Sequence, residues 1–185
     1  GGLKDSVNCP QAYDVMNYMM FAEAVRQAGP RMVMAEKIWQ TKALVEKYGD
    51  IDMYDSLEHT DAELLQGSAE GFVNLETDAH HQEDLKVCRT YNPQLVINGE
   101  RHLAFSTKIA YLFDSVKTNK YLKRGNHSET INYRGNIVDW HGASNYPGCY
   151  MVLDWDQALD TTQFVPTMIK DKIVILGFLG EDLRD

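Results

Sequence analysis

The apolar segment 172–179, which reads Lys-Ile-Val-Ile-Leu-Gly-Phe-Leu, constrains the fold more than any other part of the chain. Its four consecutive apolar residues leave no solvent face, which is typical of a strand that is covered on both sides. Such strands belong mostly to α/β folds with a parallel sheet, where ligands bind beyond the carboxyl ends of the strands. The segment therefore predicts an α/β fold with a buried strand near residue 175.

Composition narrows the class of protein further. A length of 185 residues suits one domain over 1–185, and the hydrophobic and charged fractions, 44% and 24%, are ordinary for a globular protein. The net charge of −9 argues against nucleic acid as a partner, because neutralising phosphates needs a basic face. No run of residues reaches the roughly 18 unbroken apolar positions of a membrane span.

Three cysteines, Cys9, Cys88 and Cys149, lack the close spacing that a structural zinc site needs. An odd number of cysteines cannot pair completely. Two interpretations stay open, namely three small, mostly buried thiols or one disulfide in an oxidising compartment.

Local patterns alternate between helix and strand, as in α/β proteins. They predict helices over 10–28, 61–67, 103–117 and 154–159. They predict strands over 31–38, 71–75, 130–134 and 172–179, and extended chain over 86–91 and 94–97. Asn98-Gly99 is the strongest turn signal, whereas 40–58 and 136–150 are predicted as loops.

Several short motifs follow one another in a fixed order between about residues 70 and 180. They are Gly-Phe-Val-Asn-Leu at 71–75, extended chain at 87–91, a helix beginning near 103, Ile-Asn-Tyr-Arg-Gly at 131–135, Trp-Asp-Gln-Ala-Leu at 155–159 and Asp-Lys-Ile-Val-Ile-Leu-Gly at 171–177. This series resembles the CHASE domain of the second type, an extracytoplasmic sensory module of bacterial signalling proteins. The order of the motifs, rather than any single motif, carries the resemblance.

The resemblance implies an α/β sandwich outside the membrane. Together with the apolar segment, it predicts a three-layer sandwich with a mixed, mostly parallel central sheet. It also implies a non-catalytic sensor or ligand-recognition domain of a membrane-anchored protein, with a small ligand or a protein as partner, and with homodimerisation open. On this interpretation the family's first strand and the flanking membrane segments lie outside 1–185.

Aromatic rings beside carboxylates mark a candidate ligand site. Such pairs can line a pocket for a cationic or sugar-like ligand, although the tryptophans could equally pin a loop to the core. Gly177 and Gly180, which follow the four aliphatic residues at 173–176, could approach a ligand closely, although a tight strand exit explains them as well. The candidate binding residues are Trp140, His141, Trp155, Asp156, Gly177 and Gly180.

The sequence predicts no catalytic residues, no cofactor and no metal. The stretch 78–83, Asp-Ala-His-His-Gln-Glu, concentrates metal-ligand types, but adjacent histidines on extended chain point to opposite faces. Two alternatives to the sensor remain. One is a hydrolase or transferase with an unrecognised site built from Asp78, His80, His141 and Asp154, and the other is a structural interaction domain.

Overall fold

The computed structural model describes residues 15–48, 54–74, 88–133, 150 and 152–177. The chain divides into two compact units, one over 1–131 and one over 132–185. The prediction of a single domain over 1–185 stays a prediction. Among the described helices, none combines the length and the apolar character that crossing a bilayer requires.

A three-stranded sheet lies at the centre of the first unit. Its strands are β1 (Val33–Trp39), β2 (Ser56–Glu58) and β3 (Ala69–Phe72), in the order β2-β1-β3. β2 runs antiparallel to β1, whereas β3 runs parallel to it. Along β1 the side chains alternate, so Glu36 and Ile38 are buried while their neighbours in the strand are exposed.

Two short antiparallel pairs accompany this sheet. Their strands are β4 (Thr90–Tyr91), β5 (Gln94–Ile97), β6 (Glu100–Leu103) and β7 (Glu129–Thr130). β4 pairs with β7, and β5 forms a hairpin with β6. The hairpin turns at Asn98 and Gly99, whose φ angles are 52° and 85°. Positive φ at both central residues is what a type I′ turn requires, so the predicted turn is confirmed.

Six helices complete the described residues. They are α1 (Val15–Ala28), α2 (Lys42–Tyr48), α3 (Ala62–Leu65), α4 (Phe105–Phe113), α5 (Ser115–Leu122) and α6 (Trp155–Leu159), and 3₁₀ turns follow at Gly29–Arg31 and Pro166–Met168. α1 packs on α3, where Val25 and Leu64 are almost fully buried. Of the six, α6 alone belongs to the second unit.

The hydrophobic core of the first unit joins the central sheet to the β5–β6 hairpin. It consists of Ile38, Phe72, Leu95, Ile97 and Ala104. A parallel bridge between Phe72 and Ala104 connects β3 to the start of α4. Asn74 extends the β1–β3 pairing, because its side-chain oxygen accepts from the Ile38 amide at 2.8 Å and its amide donates to the Ile38 carbonyl at 3.0 Å.

The predicted fold class is wrong. A three-layer sandwich needs a large, mostly parallel sheet, but the described residues form sheets of two or three strands in which most pairs are antiparallel. β1 and β3 make the one parallel pair among them. Short hairpin connections, such as the one at Asn98, return the chain directly beside itself and so favour antiparallel pairing.

The apolar segment that predicted a buried strand does not form one over its described part. Residues 173–177 carry no strand assignment. Ile173, Val174, Ile175 and Leu176 are 50–72% exposed. A strand needs a hydrogen-bonding partner, and the described residues of the second unit contain no other strand. Apolar character alone therefore misidentified this segment.

The predicted helix over 103–117 is two helices with a strand before them. Residues 100–103 form β6, and Asp114 separates α4 from α5 with φ −148° and ψ 88°. The Asp114 carboxylate accepts from the Lys117 amide at 2.9 Å, so it caps the second helix instead of continuing the first. The side chain of Lys117 and this backbone bond lower the pKa of Asp114.

The segment 40–58, predicted as a loop, contains α2 and β2. The strands over 31–38 and 71–75 are confirmed with shifted bounds as β1 and β3. The helix predicted over 154–159 is confirmed as α6, with Asp154 as its N-cap. The start of the helix predicted from residue 10 lies outside the described residues.

Candidate functional site

Parallel pairing brings two carboxylates to one face of the central sheet. Met34 of β1 pairs with Glu70 of β3, and Glu36 pairs with Phe72. Met34 and Glu36 are two positions apart on β1 and therefore share a face of the sheet. Glu70 lies directly beside Met34, so its side chain is on the same face as that of Glu36. This is the side on which Ile38 and Phe72 form the core.

Antiparallel pairing brings a histidine to the same place. Lys37 pairs with Glu58 at the end of β2, so the next step of the same register places His59 opposite Glu36. Thr60 holds the chain there, because its hydroxyl donates to the Ala35 carbonyl at 2.7 Å. β1, β3 and the residue that follows β2 therefore bring two carboxylates and an imidazole together.

The three side chains are close enough to act together. His59 Nδ1 lies 2.8 Å from Glu70 Oε2 and 3.5 Å from Glu36 Oε2. The amide of Thr60 donates to the other Glu70 oxygen at 2.8 Å and fixes that carboxylate. One ligand atom from each of Glu36, His59 and Glu70 lies within 4.8 Å of the other two.

A second histidine approaches from the hairpin. His102 of β6 places Nδ1 at 3.5 Å from Glu36 Oε1, and its side chain is 15% exposed. Its Nε2 is buried and has no hydrogen-bond partner among the described residues. Glu36, His59, Glu70 and His102 are called the Glu36 cluster below.

Glu36 is the unusual member of the cluster. Its side chain is 3% exposed, and the partners that the described residues offer it are two imidazole nitrogens at 3.5 Å. That distance is longer than the roughly 2.7–2.9 Å of a good charge-assisted bond. Burying a carboxylate costs several kcal/mol unless it is well paired, on the order given by ion-transfer estimates. The carboxylate is therefore poorly satisfied by the protein alone.

A cavity of about 480 Å³ lies elsewhere in the first unit. Its lining includes Tyr54, the strand β5, Arg101 and the loop 125–127. Among the described residues, its lining contains an arginine and no carboxylate. Its chemistry suits an anion better than a cation. Its lining includes the buried Oε1 of Gln94, which has no hydrogen-bond partner among the described residues, but this atom is neutral, whereas the Glu36 cluster buries a charged carboxylate.

Three of the six binding residues predicted from sequence lie among the described residues, so the predicted site as a whole stays a prediction. Trp140, His141 and Gly180 lie outside the described residues. Trp155 is 69% exposed at the start of α6, and Asp156 beside it is exposed too. A Cβ added at Gly177 would meet nothing within 4 Å, so this glycine is not held against another part of the described chain.

Other candidates fall mostly outside the described residues. They include the stretch 78–83, with Asp78 and His80, and also Cys9 and Cys149. Asp154, the fourth residue of the alternative hydrolase site, is the N-cap of α6. Cys88 is partly buried, and its thiol donates to the Thr90 carbonyl at 3.3 Å.

Sequence reasoning missed the Glu36 cluster, although one signal was present. In the strand Val-Met-Ala-Glu-Lys-Ile-Trp, Glu36 falls in phase with Ile38 on the buried side. A charged residue at a core-facing position of a strand is rare enough to indicate a site. The roles of His59 and His102 depend on strand pairings that no local pattern reveals.

Comparison with family models, with curated proteins and with solved structures finds no match to this chain. The resemblance to the second type of CHASE domain therefore stays a prediction.

Proposed function

We propose that this chain is a non-catalytic recognition module that binds a small cationic ligand at the Glu36 cluster. The observation that carries the proposal is the buried Glu36 carboxylate, which the described residues leave with contacts no shorter than 3.5 Å. A cation held between Glu36 and Glu70 would supply the missing attraction.

Charge and access both support a cationic ligand. Two carboxylates meet here, and no lysine or arginine among the described residues forms an ion pair with either of them. His59 is 54% exposed, so the cluster is reachable from solvent on that side. A small ligand can therefore enter without separating the strands.

The proposal fits the sensor interpretation of the sequence. Ligand bound by β1, β3 and the residue after β2 would tie three strands together, and it would favour whichever conformation holds them in register. In an extracytoplasmic, membrane-anchored signalling protein, segments outside this chain would carry that change to an output region. Support for this setting comes from the ordered motifs between residues 70 and 180.

Differential scanning fluorimetry of the full chain tests the proposal. The probes are divalent metal chlorides, organic diamines and amino-acid amides, with carboxylic acids and phosphates as anionic counterparts. A cation present at about 100 times its Kd adds about 2.7 kcal/mol of stability, which corresponds to roughly 5–11 °C for a chain of this size. We expect cations to raise Tm and anions to leave it unchanged.

Two matched variants show whether the cluster is responsible. Glu36→Gln removes one charge at nearly constant volume and should abolish the shift. Glu46→Gln makes the same change at an exposed position of α2 and should retain it. A flat response to every cation, or an equal response in both variants, would contradict the proposal.

One observation favours a second candidate, an interaction domain. Val15, Met16, Met19 and Met20 of α1 are 61–69% exposed, and their spacing places them on one side of the helix. Such a face can bind a partner protein. Sedimentation velocity over a range of concentrations should then show association that Met16→Lys and Met20→Lys together remove and Asn119→Lys on α5 does not. A monomer at every concentration would contradict self-association.

A further inference from the structure

We infer that the ligand of the Glu36 cluster is a divalent transition metal of the zinc type, held by Glu36, His59 and Glu70 and oriented through His102. The inference rests on the proposed function and names the chemical class of its cation.

The distances from His59 to the two carboxylates are close to those between ligands around one ion. Zinc lies about 2.0–2.1 Å from nitrogen and oxygen ligands, so tetrahedral geometry places two such ligands roughly 3.3 Å apart. The His59 Nδ1 distances to Glu70 Oε2 and Glu36 Oε2 are 2.8 Å and 3.5 Å, on either side of that value. Both His59 distances differ from the expected separation by less than about 1 Å. All three ligand atoms lie within 4.8 Å of one another, so the two carboxylates need to approach each other by at most about 1.5 Å to hold the ion.

The donor set selects the type of metal. Magnesium and calcium prefer sites made entirely of oxygen. An imidazole beside two carboxylates suits zinc and its transition-metal neighbours. Two carboxylates also balance the double positive charge. Three protein ligands leave a fourth position, which in zinc proteins is filled by water or by a bound molecule.

Binding has one proton requirement. His59 Nδ1 is the nitrogen that faces both carboxylates, so it must present its lone pair to the metal. The proton that Nδ1 donates to Glu70 in the free protein must therefore leave this nitrogen. A ring protonated on both nitrogens releases it to solvent and keeps the proton on Nε2, whereas a neutral ring exchanges its single proton through solvent so that Nε2 carries it. The short contact between His59 and Glu70 is replaced by two bonds to the same ion.

His102 acts as a positioning residue. Its Nδ1 faces Glu36 Oε1, whereas Glu36 Oε2 faces His59. With the metal bound, an N–H donor that closes on the outer oxygen would hold the carboxylate plane so that the inner oxygen points at the metal, which is how outer-shell partners orient ligands. His102→Gln keeps an N–H donor and should retain most of the zinc affinity. His102→Leu should lose roughly 10–100-fold.

Isothermal titration with Zn²⁺ alone, on the full chain after treatment with a chelator, tests the inference. We expect one equivalent bound per chain. His59→Ala changes a half-exposed side chain and leaves the core intact. It should lower zinc affinity by more than the roughly 10–100-fold expected for His102→Leu, because His59 binds the metal directly. Glu36→Gln should do the same, with circular dichroism to confirm that the variant folds. Bound Co²⁺ should show the visible absorption of a low-coordinate site.

Two control variants locate the metal. His127→Ala removes an exposed histidine far along the sequence from the cluster and should leave zinc affinity unchanged. Replacing His80 and His81 together by alanine should also leave it unchanged. If that double variant loses zinc while His59→Ala retains it, the metal binds elsewhere and the inference is overturned.

The outcomes separate this inference from the proposed function. If organic cations raise the Tm of the unaltered chain but not that of Glu36→Gln, and zinc does not bind, the assignment of the cation as a metal is wrong and the proposed recognition of cations is supported. If neither binds, both fail. If zinc binds with one equivalent through His59 and Glu36, both are supported.

Discussion

Replacing Gly71 by alanine should weaken the packing between β3 and α4. A Cβ at this position would lie 2.7 Å from Phe105 Cα, 3.0 Å from Phe105 N and 3.2 Å from Lys108 Cβ. The first two atoms are helix backbone, so they cannot turn away as the end of a side chain would. Gly71 is therefore the residue that allows the helix to begin directly against the strand.

The size of the effect follows from the overlap. Carbon atoms in contact prefer separations of about 3.5–4.0 Å, so the nearest approach is short by roughly 1 Å. β3 and α4 must move apart by about that distance, which loosens the core around Phe72 and Ala104. Overpacking of this kind costs about 1–3 kcal/mol. For a chain of this size, that corresponds to a fall in Tm of roughly 2–12 °C.

Chemical denaturation followed by far-UV circular dichroism measures the loss. Gly177→Ala is the matched control, because its added Cβ would meet nothing within 4 Å and its φ is not in the left-handed region. It should leave stability unchanged or raise it by up to about 1 kcal/mol through the unfolded chain. Since Glu70 precedes Gly71, the Gly71 variant should also bind zinc more weakly.

A particular result would refute this reasoning. If Gly71→Ala unfolds at the same denaturant concentration as the unaltered chain, the backbone of Phe105 does not lie close enough to position 71 to clash with an added Cβ. An equal loss in Gly177→Ala would show instead that the effect comes from removing glycine and not from the contact with Phe105.

Three further predictions concern stability, and each is measured by chemical denaturation. Ile97 is a core residue that is 1% exposed, so Ile97→Ala should lower the free energy of unfolding by about 2–5 kcal/mol. Val96 lies on the other side of β5 and is 70% exposed, so Val96→Ala should lower it by less than about 0.5 kcal/mol, and equal losses would refute the assigned core. Asn74→Ala removes both hydrogen bonds to Ile38 and should lower the free energy of unfolding by about 1–3 kcal/mol. The control Asn119→Ala, at an exposed position of α5, should not lower stability. An Asn74 variant as stable as the unaltered chain would show that the strand extension does not contribute to stability. The pKa of Asp55 is lowered chiefly by the Thr41 hydroxyl, and that of Asp114 by Lys117. The stability that these two carboxylates contribute is therefore present above their ordinary pKa of 3.8 and is lost as pH falls through the lower folded pKa. The double variant Asp55→Asn, Asp114→Asn should lose less stability below about pH 4 than the unaltered chain, and an unchanged pH profile would contradict this.

Local chemistry decided which elements the sequence predicted correctly. The turn at Asn98 depends on residues that tolerate positive φ, and the start of α6 depends on a capping aspartate, so each can be identified from a few adjacent residues. Asp114 shows the limit of this approach. The apolar spacing over 103–117 suggested one helix, but the aspartate bonds the backbone three residues on and starts a second one.

Non-local pairing decided what the sequence could not predict. The aliphatic run at 173–176 satisfies the pattern of a buried strand, yet burial requires a partner strand, and the position of a partner is not encoded in the run itself. β2 shows the converse, because three residues with little strand character become a strand by pairing with β1. Context of this kind commonly outweighs intrinsic β preference.

The Glu36 cluster combines both kinds of information. The phase of Glu36 within β1 is visible in the sequence and places a carboxylate among core residues, where an apolar side chain of similar size would often be neutral or more stabilising. Its partners arise only from the registers of β2, β3 and β6. Contacts of 3.5 Å stabilise the buried carboxylate only weakly, so the stability of the fold does not explain why position 36 is charged. A metal ion bound by Glu36, His59 and Glu70 would explain why this position carries a carboxylate. For that reason the zinc titration, more than any stability measurement, tests what this chain does.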